Sequence, residues 1–455
     1  MQTPFCNPAD QFDKTKRISR IRETVTFVEE RGAKIDRWRT LIVLSNTPFD
    51  LFAMIMIITG TPAPLLQFLS LAWANNDVSR LQEILLYEGA RPLGFPSLVH
   101  GPERPQFCHV EAIGLPNYFL FGRRSTPVSN LTTFTFACSV TESVPSHQEF
   151  SDLLSASPQL ESLSVNMQNA GPELLHHELE LPDIASLKVR LPLLRSFSLD
   201  TAHRHQWCLN LLQIIDAPGV EYFSINSGFK FRSSFSNPEK LYEYLARGRI
   251  NGVVQPSASI KDDSPGTGPI FPLLKHLNIQ PMMCNADGVL PVFRIFPMVT
   301  HVTLGGRGFS GLSSHPDLLP SASHLTYIDD GSLFLRLAEF PRRWAMQRTG
   351  LTLVVCTSRP GKICEELGLV HDCDHLESER HYHLPGLADR LIIRQIGQKL
   401  VDWEGGGREV PRPEQSDEDE DIDLEIDMEE PAATQDGLSF TEQETNFMED
   451  GQEES

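Results

Sequence analysis

Apolar and polar residues recur along this chain in one fixed order, Pro-x-Φ-x-x-Φ-x-Φ, where Φ is apolar. Copies begin at Pro64 (PLLQFLSL), Pro158 (PQLESLSV), Pro192 (PLLRSFSL), Pro218 (PGVEYFSI), Pro272 (PLLKHLNI), Pro297 (PMVTHVTL) and, more loosely, Pro320 (PSASHLTY). Two further copies, RWRTLIV at Arg37 and NLTTFTF at Asn130, lack the proline. The last four positions alternate, which predicts a short strand with one apolar face. Successive first apolar residues (Trp38, Leu66, Leu131, Leu160, Leu194, Val220, Leu274, Val299, Ala322) lie mostly 23 to 34 residues apart. The two long gaps, 66 to 131 and 220 to 274, are read as about two units each. Three buried apolar side chains contribute roughly 1.5–3 kcal/mol each. One unit cannot offset its own ordering with that, so units must stack on one another.

This spacing falls in the leucine-rich-repeat range, in which a strand alternates with a helix or looser return segment. The expected fold is α/β, an irregular leucine-rich-repeat solenoid: a curved parallel sheet with outer helices, followed by a disordered acidic tail. Residues 1–36 are expected to form an N-terminal helical cap, 37–345 the array with an insertion at 227–270, 346–412 a C-terminal cap, and 413–455 the tail. In 14–33, Ile18, Ile21, Val25 and Val28 fall at helical spacing opposite Lys14, Lys16, Arg17, Arg20 and Arg22, which predicts an amphipathic lid. The run Leu51–Ile58 (LFAMIMII) is too short to span a bilayer and is read as an outer helix.

SRLQEILLYEGARP reads as a helix ending near Gly89, and FCHVEAIGLP as a poor strand copy. In the insertion, Asn237 and Pro238 cap and open a helix with Leu241, Tyr244 and Leu245 on its apolar face, and Gly248 stops it; QPSASIKDDSPGTGP reads as a loop. LTLVVC (351–356) reads as a buried strand, and LADRLIIRQIGQKLVDW (387–403) as a closing helix broken at Gly405.

Charge changes this picture in one respect. The net charge is -21, but residues 414–455 hold 18 Asp and Glu and no Lys or Arg, leaving 42 acidic against 39 basic residues elsewhere. A nearly neutral body argues against a nucleic-acid surface. The acidic, proline-bearing tail has few aromatics, so disorder is expected. Within it Ile422, Leu424, Ile426 and Met428 alternate with acids, a pattern read either as a solubilising tail or as a strand to be added to a partner sheet. Eight scattered cysteines and no basic-plus-apolar leader point to a reduced intracellular compartment, cytoplasmic or nuclear.

The phrase Arg37-Trp38-Arg39-x-Leu41, the irregular Pro-anchored strands and a looser C-terminal end resemble the F-box-like leucine-rich-repeat proteins of fungi. That resemblance covers roughly residues 35–345. It implies a substrate receptor docked on the Skp adaptor of a cullin ubiquitin ligase. No F-box module, with its Leu-Pro-x-Glu-like turn and hydrophobic helix, is found before Arg37. The expected function is therefore a non-catalytic protein-binding scaffold that contacts neither nucleic acid nor membrane. The alternatives are an interaction module independent of any ligase, and a metal- or nucleotide-dependent enzyme.

If the strands lie side by side, their fifth positions (Ser70, Thr135, Ser164, Ser198, Ser224, Asn278, Thr303, Thr326) form a stripe of small hydrogen-bonding residues suited to peptide groups. The third positions are Phe68, Thr133, Ser162, Ser196, Tyr222, His276, His301 and His324. Three successive histidines would stack about 4.8 Å apart, either as a recognition spot whose charge changes near neutral pH or as exposed histidines meeting by chance. Candidate partner-binding residues are therefore Ser164, Ser198, Tyr222, Ser224, His276, Asn278, His301, Thr303, His324 and Thr326.

Signals for enzyme chemistry each have a plainer reading. Gly306-x-Gly308-x-x-Gly311 lacks the helix that a dinucleotide loop needs and reads as a repeat turn. No cofactor is expected. Cys364, His371, Cys373 and His375, with His381 and His383, are zinc-type ligands at no recognised spacing, so a polar loop is expected and zinc is the alternative.

Overall fold

The computed structural model describes residues 8–45, 50–51, 53–54, 57, 63–73, 106–115, 128–138, 144–167, 184–201, 204–226, 238–248, 269–280, 286–305, 312, 315, 317–329, 344–345, 350–357, 379–384 and 388–395. The chain divides into two units, Met1–Gly406 and Gly407–Ser455, and every described residue belongs to the first. The fold is mixed α/β, dominated by one large and mostly parallel sheet.

Helix α1 (Pro8–Glu30) leads through a short 3-10 turn at Ile35–Arg37 into β1 (Thr40–Ser45). Then come β2 (Phe68–Trp73), β3 (His109–Ile113), β4 (Thr133–Ala137), α2 (His147–Ser155), β5 (Ser162–Asn166), the two-residue β6 (Val189–Arg190) and β7 (Ser196–Asp200). Next are α3 (His205–Ile214), the two-residue β8 (Ile215–Asp216), β9 (Tyr222–Asn226), α4 (Pro238–Arg247), β10 (His276–Gln280), α5 (Ala286–Ile295), β11 (His301–Gly305) and β12 (His324–Asp329). The described elements end with β13 (Thr352–Thr357), β14 (Glu379–Leu384) and β15 (Ala388–Gln395). Thirteen strands form the large sheet in the order β1-β2-β3-β4-β5-β7-β9-β10-β11-β12-β13-β15-β14, while β6 pairs only with β8. All neighbours in the large sheet are parallel except β14 and β15, which are antiparallel.

The conserved-looking proline of the phrase has a local cause. In seven copies the N–H of the first apolar residue donates to the carbonyl three residues back: Leu66 to Ala63, Leu160 to Ser157, Leu194 to Leu191, Val220 to Ala217, Leu274 to Phe271, Val299 to Phe296 and Ala322 to Leu319. Each proline is thus the second residue of a β-turn, where its fixed φ is already the one required. The residue before it is buried every time (Ala63, Ser157, Leu191, Ala217, Phe271, Phe296, Leu319), a position the phrase as read from sequence left out. The two copies without proline enter differently. Trp38 N–H donates to Ile35 at the 3-10 turn, and Asn130 takes a left-handed φ of 58° just before Leu131, so it lies ahead of its strand rather than inside it.

After each turn the chain joins its predecessor at one point. The second-position carbonyl of a strand accepts two N–H groups from the next: Glu161 O takes Arg195 and Ser196, Arg195 O takes Glu221 and Tyr222, Glu221 O takes Lys275 and His276, Lys275 O takes Thr300 and His301, and Thr300 O takes Ser323 and His324. The same linkage runs from Arg39 through Gln67, Cys108 and Thr132 to Glu161. It places Leu41, Leu69, Val110, Phe134, Leu163, Phe197, Phe223, Leu277, Val302, Leu325, Leu353 and Leu391 in one buried row. A second buried row two residues on includes Leu71, Ala112, Phe136, Val165, Leu199, Ile225, Ile279, Leu304, Tyr327 and Val355.

Helices supply the other side of this core. In α2, Ser146 Oγ accepts from Glu149 N–H while Glu149 Oε2 accepts from Ser146 N–H, a reciprocal cap that starts the helix. Phe150 of α2 then sits 6.0 Å from Phe134 and 6.2 Å from Phe136, ring centre to ring centre. Trp207 of α3 meets Phe150 edge-on at 5.6 Å and donates its indole N–H to Pro145 O. In α4, Leu241, Tyr244 and Leu245 are buried and Gly248, at φ 64°, receives the chain's left-handed exit while its N–H bonds Tyr244 O.

Several expectations need correction. The N-terminal helix begins at Pro8 and ends at Glu30 instead of spanning 14–33; Val25 is buried and Phe27 is 54% exposed. HVEAI is a full strand, β3, paired on both sides. The gap between Val220 and Leu274 holds one unit, because β9 pairs directly with β10, and α4 lies in the long connection between them. ADRLIIRQ, expected to start a closing helix, is strand β15: pairing to β13 on one side and β14 on the other satisfies its backbone, and Leu391 fills the buried row that Leu353 leaves. In 51–58, residues 51, 53, 54 and 57 are helical, and Leu51, Ala53 and Met54 are buried. The expected helix before Gly89, the loop 254–268, residues 396–412 and the tail 413–455 lie outside the described residues.

The two faces predict unequal mutational costs. Phe134→Ala, which empties a fully buried site packed against Phe136 and Phe150, should cost about 3–5 kcal/mol. Thr133→Ala, one residue earlier on the opposite face, should stay within about 0.5 kcal/mol. Urea unfolding midpoints of the two variants check this; equal costs would show that the faces are misassigned.

Candidate functional site

Alternation leaves the third and fifth positions of every strand on the face away from the core. All ten candidate residues fall there, in two rows. Ser164, Ser198, Ser224, Asn278, Thr303 and Thr326 are paired in register across β5, β7, β9, β10, β11 and β12. Two residues earlier, Tyr222, His276, His301 and His324 pair across β9 to β12. The polar row continues the other way through Thr135 and Glu111 to Ser70. It is less open than expected at three places, since Ser70, Ser224 and Asn278 are buried; Asn278 Nδ2 donates to Ser224 Oγ at 3.0 Å.

The histidines stack. Ring centres of His276 and His301 are 4.3 Å apart with planes inclined 22°, and those of His301 and His324 are 4.3 Å apart at 13°. Tyr222 continues the row, its ring 6.3 Å from His276. The spacing is that of adjacent strands. A repeated local device orients two of the rings: Thr300 Oγ1 lies 2.9 Å from His301 Nδ1, and Ser323 Oγ lies 3.0 Å from His324 Nδ1. Among the described residues no hydrogen bond engages Nε2 of His301 or His324. Beside Tyr222, Glu221 bridges Lys275 Nζ at 2.8 Å and Arg195 Nη1 at 3.4 Å. Those two cations hold the Glu221 carboxyl below its usual range, through the Lys275 hydrogen bond above all.

Burial lowers the pKa of His276 and His301. For His276 the Lys275 charge adds to burial, with Glu221 opposing; for His301 the flanking His276 and His324 add to it. His276 and His301 therefore favour the neutral form until something outside supplies negative charge.

A second cluster went unnoticed in the sequence. On β3, Glu111 accepts a 2.7 Å hydrogen bond from Ser70 Oγ and lies 3.4 Å from His109 Nε2, while the His109 ring stacks on Phe68 at 4.2 Å. The His109 and Ser70 hydrogen bonds outweigh half-burial and lower the Glu111 pKa. The signal was available: Pro105-Gln106-Phe107-Cys108-His109-Val110-Glu111-Ala112 satisfies the phrase once alanine counts as its last apolar residue.

Among the described residues no group of three or more His, Cys, Asp or Glu is placed to hold a metal ion. Stacked imidazoles aim their in-plane lone pairs side by side rather than at one centre, which is unlike the convergent ligands of a zinc site. Cys364, His371, Cys373 and His375 lie outside the described residues, as does the Gly306–Gly311 loop. Among the described residues, Cys108, Cys138, Cys208 and Cys356 form no disulfide. No helix among the described residues is long and apolar enough to cross a membrane. No family model matches the sequence, and no curated protein matches it.

Two pH dependences of the same sign follow, in separate windows. Because His276 and His301 titrate below 6.5 when folded, the unfolded chain takes up protons first, and stability should fall as pH drops from about 6.5 toward the lowered folded values. Glu111 titrates below 4.5 when folded, so its contribution is present above about 4.5 and is lost as pH falls through the folded value. Denaturant unfolding from neutral to acid pH should show a shallower decline near pH 6 in His301→Phe. Glu111→Gln should lose stability at neutral pH and close the difference in acid; a constant offset in either variant would contradict these assignments.

Proposed function

We propose that this protein is a non-catalytic protein-binding scaffold, an irregular leucine-rich-repeat solenoid whose recognition surface is the polar face of the parallel sheet. The observation that carries this reading is the in-register row Thr135, Ser164, Ser198, Ser224, Asn278, Thr303 and Thr326. Small donors and acceptors repeating at strand spacing can meet the peptide groups of a partner at many points. None of them is a strong nucleophile or a strongly basic group, so the row suits binding better than catalysis. The consecutive order of the strands, one per sequence unit, supports the solenoid reading, because each unit then touches only its neighbours.

A role as substrate receptor of a cullin-type ubiquitin ligase is the more specific form of this proposal, and it rests on the family resemblance alone. Affinity purification from a native source tests both levels. Recovery of a Skp adaptor and cullin with the chain supports the receptor form, and a partner set without them supports a free interaction module. Ser164→Arg with Ser198→Arg places two long charged side chains on the face without touching the core. That variant should keep the wild-type melting temperature and lose at least about tenfold of its partner recovery. Undiminished recovery would remove the sheet face as the binding surface.

A further inference from the structure

We infer that the ladder formed by His276, His301 and His324 docks an acidic segment of a partner protein, each carboxylate sitting astride two neighbouring imidazole edges. This inference rests on the scaffold reading and specifies the chemistry of one part of its surface.

The geometry comes first. Ring centres 4.3 Å apart leave room for one carboxylate over each gap, with each oxygen accepting one N–H at about 2.8 Å. Three rings make two such gaps side by side. The hydroxyls of Thr300 and Ser323 engage Nδ1 of His301 and His324, so Nε2 is the nitrogen left for a ligand. Thr300 Oγ1 donates to Lys275 O at 3.3 Å and Ser323 Oγ to Thr300 O at 3.4 Å, so each hydroxyl accepts from the Nδ1–H of the histidine that follows it. The neutral imidazole then leaves Nε2 as an acceptor, and protonation turns Nε2 into the charged N–H donor that a carboxylate needs. His324 is exposed, and His276 and His301 are partly so.

The charges around the ladder fit an anion. Its flanking groups are Lys275 and Arg195 on one side, with the single carboxylate Glu221 already shared between them. On the other side the same register row continues through Thr352 to the exposed Arg390. No other Asp or Glu occupies the third or fifth positions of β9 to β13 and β15, and Glu379 of the antiparallel β14 is the register partner of Arg394. A carboxylate brought to the rings would offset the burial and the neighbouring positive charge that hold the His276 and His301 pKa values down, so binding takes up protons and tightens as pH falls.

A peptide is favoured over a free anion or a nucleic acid by what lies next to the rings. Thr303 and Thr326 stand two residues along the same strands and face the same way, placed to meet backbone groups of an extended chain. A phosphate polymer would call for a broad basic surface, and outside its C-terminal region this chain carries 42 acidic against 39 basic residues.

Fluorescence anisotropy of the full-length protein with fluorescein-labelled octaglutamate tests the inference, with labelled octaglutamine, a labelled oligothymidine and unlabelled inorganic phosphate as comparisons. Affinity for octaglutamate should rise at least about fivefold between about pH 7.5 and pH 6, and octaglutamine should show no such rise. His301→Phe preserves a flat stacking ring but removes the N–H; it should weaken octaglutamate binding about tenfold at the lower pH and flatten the pH dependence. His324→Gln, at the exposed end of the stack, provides a second variant whose folding does not depend on a buried ring. Octaglutamate affinity that ignores pH, or that survives both variants, overturns the inference. So does tighter binding of the oligothymidine, or displacement of the peptide by phosphate at equal concentration. If those outcomes occur while Ser164→Arg with Ser198→Arg still releases the natural partner, the ladder proposal fails and the scaffold reading stands.

Discussion

A single backbone linkage fixes where every side chain in this sheet points. The second-position carbonyl of one strand receives two N–H groups of the next, and the same linkage recurs from Arg39 to His324. Side chains alternate with a period of two, so a slip of one residue at any of these joints would exchange the buried and exposed sets of every strand beyond it. In seven copies a Pro-anchored turn sets the phase just before the joint, and the buried residue ahead of each proline pins the turn to the core. What the surface can bind is therefore a consequence of register, not of any one loop.

The polar face shows that consequence. The 4.3 Å imidazole stack needs no special scaffold of its own: three strands in register with histidine at the third position put the rings at strand spacing, and the hydroxyl one residue before His301 and His324 orients them. Elsewhere on the same face the same geometry yields other products. It brings Ser70, His109 and Glu111 together into a paired carboxylate, and it lets Asn278 reach Ser224. One backbone rule thus produces a row of small polar groups, a carboxylate–imidazole contact and an aromatic ladder, according to which residue each unit places there.

Much of this was legible in the sequence, because the phrase encodes alternation directly: Leu163 and Val165 had to face one way and Ser162 and Ser164 the other. The histidine row was visible for the same reason. Legibility failed where local pattern and pairing disagree. LADRLIIRQIGQ has apolar residues at both helical and strand spacing, and only the neighbouring strands β13 and β14 decide for a strand. β3 was discounted because Ala112 is a weak apolar marker, although a small residue fits that buried row well. The spacing from Val220 to Leu274 suggests two units, whereas reading 227–270 as an insertion with a helix agrees with the direct pairing of β9 and β10; spacing alone cannot tell a missing strand from a long connection. The Glu111 pairing was invisible because Ser70 lies 41 residues away, and only a correct β3 would have brought them together.

Register itself can be measured directly by cysteine cross-linking across neighbouring strands. Ser164 and Ser198 are register partners on β5 and β7, whereas Ser162 pairs with Ser196. A disulfide requires Cα atoms within about 7 Å, a distance that in-register neighbours meet and that a pair offset by two residues on the same face does not. The account predicts that a Ser164→Cys, Ser198→Cys protein closes a disulfide rapidly under mild oxidation, while a Ser162→Cys, Ser198→Cys protein stays reduced. Closure of the offset pair in preference to the aligned one would contradict the register on which both rows of the face depend.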